Sequence, residues 1–268
     1  MTMRVSIDHA TTYRFDSPIA GALQELRLTP RNNGAQRLES WEIEITGGAT
    51  EVEFTDHHAN HVTLISLEAG VSAAVARSTG VVETTDTNGV VAAHLGYAPK
   101  WLYRRTTDLT TAGPGIEGLL AGFDHPEGDP VARMHALSGH IRALVDYDPG
   151  WTSVATTAED ALAAGRGVCQ DHSHLFLAAA RHLGMSARYV SGYLVVDGEP
   201  DQPATHAWAE VWIEGLGWLG LDVSNGISPD ERYVRLAVGL DYREAAPVSG
   251  IRFGGAEEDL DVSVQIQQ

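Results

Sequence analysis

Between residues 4 and 95 apolar and polar positions alternate in short runs. They include the segment VSIDHATTYRF from Val5, Trp41–Ile45 (WEIEI), Glu51–Phe54 (EVEF) and Val62–Leu67 (VTLISL). A period of two puts one face of a strand on a core and the other in water. Asn32-Asn33-Gly34, Gly47-Gly48 and Asn88-Gly89 punctuate the runs as turns. Short strands and tight turns in this rhythm predict a β-sandwich domain over residues 1–95.

From residue 96 to 128 the chain is rich in Thr, Gly and Pro, with Gly113-Pro114-Gly115 its clearest break, so it is expected to connect two domains. The period then changes. Asp129-Pro130 has the form of a helix cap with proline in the first turn, and Val131, Met134, Leu137, Ile141 and Leu144 recur at helical spacing. Thr157-Ala-Glu-Asp160 has the form of a capping box, and Gly165 would close the short helix it opens. A third helix follows, because Cys169, His172, Phe176, Ala179 and Leu183 share one helical face and Gly184 follows them. Strands return at Ala187–Val196, His206–Ile213 and Gly217–Val223, the last two joined by a glycine-containing hairpin loop. Leu260–Ile266 reads as one more strand or as a frayed end. Residues 129–268 are thus expected to form an α+β domain with Cys169 at the start of its central helix.

Composition narrows the function. The longest apolar runs fall far short of the roughly 20 residues of a membrane span. The first residues alternate without an apolar core, so no secretory signal is visible and the cytoplasm is the expected compartment. A formal charge of −18 opposes nucleic acid and anionic membranes, and the short basic stretch Lys100–Arg105 is interleaved with Trp101, Leu102 and Tyr103. A single cysteine excludes an internal disulfide and a thiolate zinc cluster. His57, His58 and His61 follow Asp56 closely, but no neighbouring Cys or second carboxylate completes a ligand set. They read as a polar loop; no metal or cofactor is expected.

The lone thiol is well placed for chemistry. A helix start stabilises a thiolate through unpaired N–H groups and the positive end of the dipole, and it offers a backbone N–H to an oxyanion. Such a nucleophile needs a base, and the base an acceptor on its other ring nitrogen. A turn near Gly215 pairs positions summing to about 430, which leaves Asp222 two residues out of register from His206, within diagonal reach. Cys169 as nucleophile, His206 as base and Asp222 as orienting group form a consistent triad.

These blocks carry a resemblance. Gly167-Val-Cys-Gln-Asp171, Ala187-Arg-Tyr-Val-Ser-Gly-Tyr193, His206-Ala-Trp-Ala-Glu-Val-Trp212 and Gly217-Trp-Leu-Gly-Leu-Asp222 resemble, in order, the core of the transglutaminase-like superfamily. Tyr13, Leu26-Arg-Leu-Thr-Pro30 and Asp56 with Asn60 resemble the β-domain that precedes this core in bacterial members. Two departures stand out. Asp222-Val-Ser-Asn225 replaces the usual Asp-Pro-Thr, and Ala59 replaces a glycine. The resemblance implies a papain-like/transglutaminase-like catalytic core and acyl transfer at a peptide or isopeptide amide, with hydrolysis favoured over transfer to an amine. No calcium loop of the Asp-x-Asp-x-Asp-Gly form is present.

The other roles remain open at this stage. His172 and His174 point round the helix and are expected to be structural, with His174 buried and hydrogen-bonded and Asp171 complementing the helix dipole. Trp208 and Trp212 share the strand face of His206 and are expected as core or cleft wall. Gln170, Tyr147 and Trp151 are weaker candidates for contact with substrate. A binding module that keeps the fold without catalysis, and a metal-binding protein using the histidine loops, are the competing classes.

Overall fold

Strand β1 (Thr2–Phe15) buries Val5, Ile7, His9, Thr11, Tyr13 and Phe15, every second side chain, as its alternation predicts. It belongs to a computed structural model that describes residues 1–268 except 124–127, 197, 199, 203 and 256. Strands β2 (Gly21–Leu26), β3 (Gln36–Thr46), β4 (Gly48–Thr55), β5 (His61–Leu67) and β6 (Ala73–Thr85) follow, and then a short β7 (Val90–Val91). Helices α1 (Pro114–Ala121) and α2 (Pro130–Leu144) come next. Then come β8 (Asp146–Tyr147), α3 (Ala158–Ala164), β9 (Arg166–Gly167) and α4 (Cys169–His182). The chain continues through β10 (Ala187–Leu194), β11 (Asp201–Gln202), β12 (His206–Ile213), β13 (Gly217–Leu221) and β14 (Tyr233–Gly239). A one-turn α5 (Tyr242–Ala245) precedes β15 (Val248–Phe253) and β16 (Glu258–Gln267).

The fold is α+β. One sheet has the order β11-β16-β1-β6-β3 and another β15-β2-β5-β4, and inward side chains of both, such as Ile7 and Ile65, share one apolar core. The third sheet, β14-β10-β12-β13-β7, is antiparallel throughout and backs α4. Every residue of α4 from Asp171 to Arg181 is buried, as expected of a helix walled by other helices and a sheet. Alanines 207 and 209 of β12 and alanines 178–180 of α4 are small, which suits a close approach of helix to sheet.

Three expectations need correction. Gly113-Pro114-Gly115 does not break the chain but opens α1, with proline in its first turn. The carboxylate of Glu159 in α3 accepts the N–H groups of Gly113, Gly115 and Ile116, at 2.8, 3.0 and 2.9 Å. A cap supplied from more than forty residues away leaves no local signature. Second, the segment 129–268 does not stay in one unit, because β15 pairs with β2 and β16 with β1. Third, β7, assigned to the first 95 residues, pairs with β13. Alternation marks a strand but not its partner; the free edges of β1, β2 and β13 take what the chain brings them.

The loop Asp56–Asn60 forms the seam. Asn60 donates to the Val238 carbonyl and accepts from its N–H, both at 2.8 Å, so one side chain pairs with β14 as a strand would. Asp56 accepts from the backbone N–H of His58 and of Asn60 and from the Asn60 side chain. This turn requires a left-handed residue, and Ala59 supplies it with φ of 71°. That is the conformation glycine adopts without steric cost.

Candidate active site

Gly167 and Val168 deliver the chain to Cys169, the first residue of α4. A Cβ on Gly167 would lie 2.7 Å from the Cβ of Asp171, so only glycine lets the Asp171 side chain fold back over the helix start. There its Oδ2 accepts the N–H of Val168 at 2.8 Å. Burial raises the Asp171 pKa above the usual carboxylate range, although that N–H pulls it down. Cys169 is a free thiol and half-buried.

His206 opens β12, and its side chain is 13 % exposed. Nε2 donates to Oδ2 of Asp222 at 2.6 Å, and the Cys169 side chain acts on the ring electrostatically, favouring its charged form. Since Asp222 holds Nε2, Nδ1 is the nitrogen left for the thiol. The hairpin register is the predicted one: Trp212 faces Trp218 and Ala209 faces Leu221, which sets Asp222 two residues from the position opposite His206.

Asp222 is fully buried, just past β13. Its Oδ1 accepts the Asn225 N–H at 3.1 Å; its Oδ2 accepts Asn225 Nδ2 at 2.7 Å and the Tyr233 hydroxyl at 2.8 Å, besides His206. Burial alone would raise its pKa, but the bonds from His206, Asn225 and Tyr233 outweigh it and hold the carboxyl below the usual range. The same balance acts on the imidazole. Burial disfavours the cation, while Asp222 and Cys169 favour it more strongly, and the His206 pKa is pushed up to about 10.

Around this line the walls are aromatic. Trp208 stacks near His206 at 6.4 Å and 28°, and Tyr233 meets Trp208 edge-on at 5.4 Å. A Cβ on Gly192, the β10 partner of His206, would sit 2.6 Å from the Trp208 ring, so this glycine makes room for the indole. Trp208 is a buried wall, as its strand face suggested.

His172 and His174 are structural. Nε2 of His172 donates to the Val145 carbonyl at 3.0 Å, so Nδ1 accepts the Ser224 hydroxyl at 2.7 Å and ties α4 to the turn after Asp222. His174 accepts the Tyr242 N–H at 3.2 Å, and burial with Arg181 and Arg243 nearby pushes its pKa down to about 3. Tyr147 is exposed, and burial followed by the Cys169 and Asp222 charges raises its pKa. Trp151 stacks under Arg166 at 5.1 Å. Gln170, beside the thiol, is half-buried.

The sequence did not foretell Asn225 and Tyr233. Asn225 lies within the departure from the usual Asp-Pro-Thr, which was the available signal; Tyr233 reaches the site from another strand. The histidine loop also differs from expectation. Glu244 of α5 brings a carboxylate to His57 and His58, with one donor atom of each within 4.8 Å of the others, while His61 faces Glu53 at 4.0 Å. Both ring nitrogens of His58 are already engaged, by Tyr103 at 2.8 Å and Glu244 at 2.9 Å. The group holds α5 to the seam.

Comparisons with known proteins bear on the family and the fold. Residues 117–223 match the model of the transglutaminase-like superfamily, and residues 5–83 match the bacterial transglutaminase-like N-terminal region. An uncharacterized protein of Mycobacterium leprae is 31% identical over 284 residues, covering 98% of each chain. This chain belongs to the transglutaminase-like superfamily. An uncharacterized protein of Mycobacterium tuberculosis is 29% identical to this transglutaminase-like chain, over 99% of it and 93% of the relative. The crystal structure described as "a Putative Cysteine Protease from Cytophaga hutchinsonii" has the same fold, with a TM-score of 0.80 at 21% identity. The match covers 100% of this chain and 91% of that one. No helix among the described residues of this transglutaminase-like chain is long and apolar enough to cross a membrane.

Proposed function

We propose that the chain is a cysteine-dependent amide hydrolase in which Cys169 attacks, His206 shuttles the proton and Asp222 orients His206. The supporting observation is the 2.6 Å bond from His206 Nε2 to buried Asp222, together with the rise in the His206 pKa that Asp222 and Cys169 both cause. With thiol and imidazole held as an ion pair, Sγ adds to the amide carbonyl, and the Cys169 N–H at the helix start is available to the developing oxyanion. The C–N bond breaks as imidazolium gives its proton to the leaving amine, and a thioester remains. His206 then takes a proton from water, hydroxide adds, the C–S bond breaks, and the carboxylic acid leaves with the ion pair restored. Asp222 keeps the tautomer and the ring angle through both halves.

The choice of water over an amine as acceptor rests on the family resemblance. Iodoacetamide labelling of Cys169 across pH 5–9, in wild type and in His206→Ala, tests the pairing of thiol and imidazole. Below pH 8 His206→Ala should label several-fold more slowly than wild type. Equal profiles would leave a non-catalytic module as the better account. Mass spectrometry of a peptide amide incubated with and without an added primary amine separates hydrolysis from transfer.

A further inference from the structure

At the junction of sandwich and core lies a cavity of about 170 Å³, larger than those of about 40 and 20 Å³ at the seam and beside Trp208. Its floor is the sandwich: His9, Thr11 and Tyr13 project from β1, with Leu260 and Val262 from the paired strand β16. Its opposite wall is the core, with Thr205, the residue before His206, and Tyr242. The Tyr242 ring meets Tyr189 edge-on at 6.2 Å. Thr205 therefore puts the cavity one residue from His206 along the chain, at the start of the strand that carries the base.

Its chemistry is unusual for so acidic a chain. No Asp, Glu, Lys or Arg is among the described lining residues. The one ionisable imidazole is spent internally, His9 Nδ1 on the Tyr193 hydroxyl at 2.8 Å and Nε2 on Thr11 at 3.1 Å. Burial also pushes the His9 pKa down to about 4, so the ring is neutral at pH 7. A concave, neutral site with aromatic walls suits an apolar group and leaves a charged one unsolvated.

On the reading that Cys169 is the nucleophile, we infer that this cavity is the specificity subsite, receiving a large neutral apolar or aromatic side chain next to the acyl carbonyl under attack. The sandwich then contributes half of the subsite. Tyr13, part of the N-terminal resemblance and without a part in the triad, gains a function as a wall.

The test uses N-acetyl amino-acid chloromethyl ketones derived from Phe, Leu, Gly, Asp and Lys, with each rate of Cys169 alkylation divided by its rate with glutathione. At pH 9, where a thiol ionises with or without an imidazole partner, the Phe and Leu reagents should outpace the Gly reagent by about tenfold or more. The Asp and Lys reagents should be the slowest. Val262→Trp, which fills the cavity from the sheet, should erase the Phe preference while iodoacetamide labelling stays at the wild-type rate. The exposed position of Leu260 makes Leu260→Asp a second variant that should fold, and it should raise the Lys rate at the expense of the Phe rate. Equal Phe and Gly rates, or a Phe preference that survives Val262→Trp, would overturn the subsite. A failed triad would instead appear only in the iodoacetamide profile below pH 8, with these ratios intact.

Discussion

Two histidines largely withdrawn from solvent, one within α4 and one on the neighbouring strand β12, are held in opposite states. His206 has the Asp222 carboxylate on Nε2 and the Cys169 thiol as a second electrostatic partner, and its pKa rises to about 10. His174, five residues along α4 from Cys169, has Arg181 and Arg243 for charged neighbours, and its pKa falls to about 3. Both lose solvation on burial, which by itself disfavours the cation. The partners therefore decide the charge, and the molecule places its acids around one imidazole and its bases around the other.

Breaking the acid side of this comparison should have the largest effect. Asp222→Ala removes the acceptor on Nε2 and leaves burial unopposed, so turnover of an amide substrate should fall by about 10³–10⁴-fold. Asp222→Asn should retain more activity, because the amide oxygen can still accept from His206 and from the Tyr233 hydroxyl. Steady-state rates for the two variants and wild type check this; Asp222→Ala with wild-type turnover would mean that another group orients His206.

The neutral side predicts a dependence of stability on pH. His174, and His9 with its pKa near 4, bind protons more readily unfolded than folded. From the unfolded value near 6.5 downward, stability should fall as pH falls, on the order of 1–2 kcal/mol per histidine by pH 5. Asp171, raised by burial, works the other way in acid. His206 contributes stability that is complete below about 6.5 and lost as pH rises towards 10. Urea unfolding at pH 5, 7 and 9 should thus show a maximum near neutrality; a stability that climbs steadily from pH 7 to 5 would contradict the neutral histidines.

Substitution on that side should spare the chemistry. His174→Leu orphans the Tyr242 N–H and should cost about 1–3 kcal/mol in the same assay, with the iodoacetamide profile of Cys169 unchanged. The smallest effect belongs to the seam, at Ala59. Ala59→Gly relieves the left-handed alanine and should add about 0.5–1 kcal/mol, read as a higher unfolding midpoint.

How far the sequence reached follows from the range of each interaction. The hairpin register that brings Asp222 to His206 was legible, because one turn near Gly215 sets it. The position of Cys169 at the start of α4 was legible from the glycine before it and the apolar face after it. Tyr233, Glu159 and Glu244 were not, since each acts on residues in other elements, and a tyrosine or glutamate does not announce its partner. Polar networks assembled across elements depend on packing that periodicity does not encode. For the same reason the alternation of β16 marked a strand without revealing that its neighbour would be β1, more than two hundred residues earlier.

That pairing also orders events during synthesis. When the sandwich strands β1 to β6 have left the ribosome, β1 can pair with β6, but its other edge waits for residues 258–267 and β2 waits for 248–253. Both sheets thus hold an open edge while some 160 residues of core are translated. Open edges are the places where strands of different chains join. A nascent chain of this protein spends most of its translation with two such edges uncovered, and arrest before residue 248 would leave them so. Trigger-type holding of the emerging sandwich, or rapid docking of the core beneath it, would matter more here than for a protein whose first domain closes on itself.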